Sequence, residues 1–164
     1  MRKLRDGDCF TLPLIDDKVG VCQIIQLKKS SFYIVVFEKT VNRNELLDLI
    51  DTIICSKILF FGETTDARIY HNLWEFICNK KTIITENNIP TFKVETLTGY
   101  ILVDYKGNKI KRLTKEESKN YNYESSYSPI RFENALKAYH KIIDWVEEYN
   151  KILYNPTPSN GYKE

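Results

Sequence analysis

The sequence predicts an α+β fold, a strongly bent antiparallel β-sheet or partly open barrel with a long C-terminal α-helix packed on it. Three observations carry this expectation. Short runs of alternating or β-branched and aromatic residues, separated by turn residues, fill most of the first two thirds of the chain. One stretch after Ser128 repeats apolar residues at helical spacing and needs a large partner, which only the sheet can supply. The 164 residues, 43% hydrophobic and 28% charged, are ordinary for a folded domain with one core of its own.

Residues 9 to 14 alternate through Cys9, Phe10, Thr11 and Leu12. Asp16-Asp17-Lys18 then breaks the run before VGVCQIIQL resumes it, which is a hairpin signal. SSFYIVVFEK follows as a third strand of a meander. The period changes at Leu46, Leu47, Leu49 and Ile50, which fit a short helix after Asn42 and Asn44. CSKILFFGE returns to strand, and RIY and LWEFI read as a hairpin turning at His71 and Asn72. Pro90 opens a strand, TFKVETL, and a further hairpin turns around Lys106-Gly107-Asn108.

Thr114 to Glu117 spells a capping box, in which hydroxyl and carboxylate satisfy each other's backbone amides at a helix start. Ser128-Pro129 is a second start, with proline where its missing donor costs nothing. Phe132, Leu136, Tyr139, Ile143, Val146 and Leu153 then place one apolar face along a single long helix. Residues 1–154 are expected to form a single domain and 155–164 a flexible tail, after Pro156 and Pro158 end the order.

The net charge of +2, from 24 Lys and Arg against 22 Asp and Glu, produces no strong global field toward nucleic acid or membrane. No apolar run approaches a membrane span, so a cytoplasmic protein is expected. Cys9, Cys22, Cys55 and Cys78 lie far apart inside apolar runs, form no C-x-x-C pair, and read as reduced core thiols. His71 and His140 lack the spacing of metal or nucleophile motifs, and no phosphate-cradling glycine loop is present. An enzyme is therefore not expected, nor a cofactor or a metal.

Asp6-Gly7-Asp8 lacks the further oxygens of a calcium loop and reads as a turn into the first strand. KKSSFYIVVF and YKGNKIKRL interleave basic and aromatic residues, the material of a β-rich RNA or single-stranded DNA binder, although no module signature accompanies them. NYNYESSYSP sets Tyr121, Tyr123 and Tyr127 among small polar residues. Such a segment is either an adaptable recognition surface or a loop pinning the last helix to the sheet.

The string Gly7-Asp8-Cys9-Phe10-x-Leu12-Pro13-Leu14, with Gly20 and Gln23 in the next strand, resembles the start of the immunity protein 26 family of bacterial polymorphic toxin systems. Further matches follow in order: Ile58-Leu59-Phe60, Trp74 with Ile77, Pro90 with Phe92, then Gly107, Arg112, Thr114 and Glu117. The resemblance runs from about residue 5 to the last helix. It departs at Cys78-Asn79, where the family often carries glycine. It implies a non-enzymatic protein that binds a toxin domain made by the same cell and neutralises it by stoichiometric occlusion of the active site or substrate groove. The matching positions look like scaffold. Candidate contacts are the carboxylates of Asp16, Asp17, Glu63, Asp66, Glu116 and Glu124, with Tyr121, Tyr123 and Tyr127 as apolar anchors. The alternative is the RNA or single-stranded DNA binder.

Overall fold

The computed structural model describes residues 2–85 and 88–154, with the backbone of 156–157. In chain order the elements are β1 Asp8–Pro13, β2 Lys18–Leu27, β3 Phe32–Phe37, β4 Val41–Asn42, α1 Leu46–Ile54, β5 Ile58–Thr64, α2 Ala67–Tyr70, β6 Phe76–Asn79, β7 Ile89–Thr96, β8 Gly99–Asp104, β9 Lys109–Leu113, α3 Lys115–Ser118, α4 Pro129–Tyr139 and β10 Pro156–Thr157. Short 3-10 turns cover Arg43–Glu45 and Glu147–Ile152. The chain divides into two compact units, Met1–Ile83 with Ser126–Leu153, and Ile84–Ser125 with Tyr154–Glu164.

The first unit is built on a sheet ordered β5-β3-β2-β1-β6, with β4 paired to β2. All its strand pairs are antiparallel. The β1–β2–β3 meander is the one expected from the alternation. The sheet is open, not closed into a barrel, since β5 and β6 end the path.

Both faces of this sheet are apolar. One carries Phe10, Leu12, Cys22, Ile24, Ile34 and Val36 against Phe132, Ala135 and Leu136 of α4. Each of the Phe, Leu, Ile and Val side chains among these, fully buried, contributes roughly 1.5–3 kcal/mol. The helix lies so close that a Cβ at Gly20 would run into Leu136, and one at Gly62 would stand 2.9 Å from the Phe132 ring. The opposite pleat holds Val21, Ile25, Val35 and Phe37, also buried. Helix α1 supplies Leu46, Ile50, Ile53 and Ile54, which are buried outside the α4 cluster.

The expected long C-terminal helix is absent: α4 ends after 11 residues. Lys141 adopts φ 61°, its amide bonds the Ala138 carbonyl, and the Ile142 amide bonds that of Lys137. These two bonds make a Schellman stop. The chain then folds back, placing Trp145 over Phe60 with ring centroids 6.2 Å apart and burying Tyr149 and Ile152 in the α4 cluster. Ile143, Val146 and Leu153, expected on the helix face, are 39–46% exposed.

The expected hairpin at His71 is also absent. Residues 67–70 make one helical turn, Asn72 takes φ 55°, and Trp74 drops into the core before β6 begins.

The second unit holds a sheet ordered β10-β7-β8-β9. Its β8–β9 turn at Gly107 (φ 89°) matches the expected hairpin. The capping box at Thr114 and Glu117 is present in both directions, at 3.1 and 2.8 Å. Of the expected tail, 155 and 158–164 lie outside the described residues, while Pro156–Thr157 pair with β7.

Candidate binding surface

The opening acidic pair acts as a turn. Gly7 at φ 89° bends the chain, and a Cβ there would collide with the Lys80 carbonyl. Asp8 is fully buried: its carboxylate accepts from the Arg5 amide at 3.0 Å, the Asn79 amide group at 2.8 Å and the Arg2 guanidinium at 3.1 Å. Asp6 accepts from the Leu27 amide at 2.8 Å. These carboxylates are consumed in joining β1, β2 and β6.

Of the candidate contacts, Asp16, Asp17, Glu63, Asp66 and Tyr127 belong to the first unit, and Glu116, Tyr121, Tyr123 and Glu124 to the second. Asp16 and Asp17 are exposed at the β1–β2 turn, with Asp16 at φ 54°. Asp17 lines a shallow depression with Asn42, Arg43 and Asn44. Glu63 is half-buried and engaged: Lys28 pairs with it at 3.0 Å and the Ser31 hydroxyl donates at 2.5 Å. Burial pulls its pKa up, but the Ser31 and Lys28 hydrogen bonds outweigh this and hold it below the ordinary range. Beside it Asp66, Leu4, Leu27, Lys28, Ser31 and Phe32 are among the residues lining a small groove of about 210 Å³.

Tyr127 is an anchor of the fold. Its amide donates to the Glu63 carbonyl at 2.9 Å, its own carbonyl accepts from Thr64 at 2.8 Å, and Arg131 lies 4.6 Å over its ring. The loop therefore pins α4 to β5, the plainer of the two readings of that tyrosine. In the second unit, Glu116 pairs with Lys119 at 3.0 Å. Tyr121 is half-buried and Glu124 exposed. Tyr123, 48% exposed, has Lys93 Nζ 4.5 Å above its ring, and the neighbouring Tyr100 heads the causes raising its pKa. Of the basic residues on the outer strand β9, Lys111 pairs with Glu117 and Arg112 donates to Thr98.

His140 caps α4, where its Nε2 meets the Glu38 carbonyl at 2.8 Å; His71 caps α2. Among the described residues no cluster of three His, Cys, Asp or Glu has metal-site geometry, and no helix is long and apolar enough to cross a membrane.

Sequence reasoning missed the run from Arg68 to Phe76. Arg68 grips the fully buried Glu133 of α4 through Nε and its terminal nitrogen, both at 2.6 Å, and the Trp74 indole donates to the same carboxylate at 2.6 Å. Around this lock three apolar side chains face solvent: Tyr70 (63% exposed), Leu73 (44%) and Phe76 (40%). Arg2 lies 3.7 Å over the Phe76 ring, which meets Phe10 edge-on. The available signal was Trp74 beside Arg68 and an interior Glu133 on an otherwise apolar helix face. Compared with models of known protein families, curated proteins and solved structures, the chain matches none.

Proposed function

We propose that this chain is an immunity-type inhibitor, a binding protein that neutralises a toxin domain by covering its active site or substrate groove. The reading rests on the sequence resemblance and on one observation, the exposed Tyr70, Leu73 and Phe76 carried on a backbone that Arg68, Trp74 and Glu133 hold fixed. Aromatic side chains with an adjacent arginine are the usual anchors of protein interfaces. A backbone already ordered loses little entropy on docking, so more of the contact energy remains as affinity. Asp66, at the start of α2, supplies an exposed charge on the same run. Glu63 must first give up Lys28 and Ser31, which makes it a weaker contact.

The test is co-expression with the candidate toxin domain encoded beside its gene, scoring growth and a co-purified one-to-one complex. Growth rescue is expected, with Tyr70→Ala plus Phe76→Ala weakening affinity at least a hundredfold. Reversing Asp16 and Asp17, or Tyr123→Ala, tests the two other groups of candidates. Rescue that survives the double aromatic change moves the interface elsewhere. No rescue and no complex with a toxic neighbour, together with salt-steep oligonucleotide binding, favours the nucleic-acid reading.

A further inference from the structure

Cys9 and Cys78 lie 69 positions apart in the chain and face each other as direct partners in the β1–β6 ladder. We propose that these two thiols form a reversible disulfide site, which closes when a small-molecule disulfide oxidises it and fastens the edge strand β6 to β1.

Directly opposed residues of an antiparallel pair hold their Cα atoms about 4.5–5.5 Å apart. That span lies inside the window a disulfide needs, about 4.4–6.8 Å. As direct partners the two side chains lie on the same face of the ladder, where the Cys9 thiol donates to the Gly7 carbonyl at 3.5 Å. Geometry also excludes the nearest competitor. Cys22 pairs with Phe10, so it points to the α4 face, whereas Cys9 pairs with Gln23 and points to the other. Cys55 lies exposed just past α1.

The chemistry divides between the two sulfurs. Burial first, then the neighbouring Cys78, push the Cys9 thiol up to about 12. Burial also raises Cys78, but the neighbouring Cys9 thiol and the Lys80 charge pull it back, and it is the more exposed of the two. Cys78 is therefore the attacking group. Its thiolate attacks one sulfur of oxidised glutathione, forming a mixed disulfide and releasing one glutathione thiolate. Cys9 then loses its proton and attacks the Cys78 sulfur, releasing the second glutathione. Two protein thiols are oxidised by two electrons, and one small disulfide is reduced to two thiols. A glutathione pool kept reduced leaves the site open; an oxidising compartment closes it.

The strand that would be fastened matters to the fold. Next to Cys78, Asn79 holds Asp8 at 2.8 Å, and the Lys80 amide donates to the Gly7 carbonyl at 3.0 Å. Closure therefore locks the edge at the point where the first unit's sheet ends and the chain departs at Ile83.

The test equilibrates the full chain in glutathione buffers of rising oxidised fraction, traps free thiols by alkylation and maps the peptides. Two of the four thiols are expected to disappear together, with one linked Cys9–Cys78 peptide, and the amides of Cys78 and Lys80 are expected to exchange at least tenfold more slowly after oxidation. Cys78→Ser, at a half-exposed position, should abolish the link. Cys55→Ser should leave it intact. Four free thiols in oxidised glutathione alone, or a link through any other pair, overturns the proposal.

Discussion

Glu133 and Arg68 are 65 residues apart in sequence and form a two-point ion pair at 2.6 Å, with the carboxylate fully buried. The same carboxylate accepts from Trp74, so one acid joins α2, the core tryptophan and α4. Removing one partner of such a pair leaves an uncompensated charge, at a cost of about 3–5 kcal/mol. Glu133→Ala should lower unfolding stability in urea by about that amount. Glu133→Gln, which keeps an acceptor for the indole, should cost less. A Glu133→Ala midpoint equal to that of the wild type would show that Arg68 finds another partner.

Glu63 makes stability depend on acid. Its folded-state pKa lies below the ordinary 4.5, so its contribution is present above that value and is lost as pH falls through the folded one. Unfolding midpoints of the wild type and Glu63→Gln should therefore differ at pH 7 and converge only as the pH falls below the lowered folded-state value. A difference that stays constant with pH would mean the Lys28 and Ser31 contacts are unimportant in solution.

Gly7→Ala should be among the more damaging single-methyl additions. The position needs φ 89°, and the new Cβ meets the Lys80 carbonyl. Strain and overpacking together cost on the order of 2–4 kcal/mol. Gly107→Ala has the same φ but open space around it, and should cost about 1 kcal/mol. Thermal unfolding of the two variants side by side checks the difference.

Lys141→Gly should stabilise the protein. The residue closes α4 at φ 61°, a conformation in which an L side chain is penalised by about 1 kcal/mol and glycine is not. A higher urea midpoint with an unchanged slope is the expected result. A lower midpoint would mean that the Lys141 side chain contributes more than its backbone costs.

Glu63, Glu133 and Lys141 also mark where sequence legibility ended. The β1–β2–β3 meander, the Gly107 hairpin, the Thr114 cap and the Ser128-Pro129 start each follow from a signal a few residues long. The end of α4 carries no such signal. Lysine stands where glycine usually does, and apolar spacing continues through Ile143 and Val146 even though the helix has stopped. The α2 turn was hidden because Tyr70, Leu73 and Phe76 mimic strand composition while facing solvent. The Arg68–Glu133 pair depends on tertiary packing that no local window contains. The same holds for the candidate contacts, since Lys28 and Ser31 engage Glu63 of β5 from the turn that leads into the neighbouring strand β3.

The first unit is assembled from two pieces of chain separated by the segment Ile84–Ser125. On the ribosome, Phe10, Ile24 and Ile34 emerge long before Phe132 and Leu136, the α4 residues that cover them. At synthesis rates of roughly 5–20 residues per second, that face of the nascent sheet stays bare for several seconds. The interval is a window for chaperone capture or for aggregation, and it closes only when Ser126–Leu153 arrive.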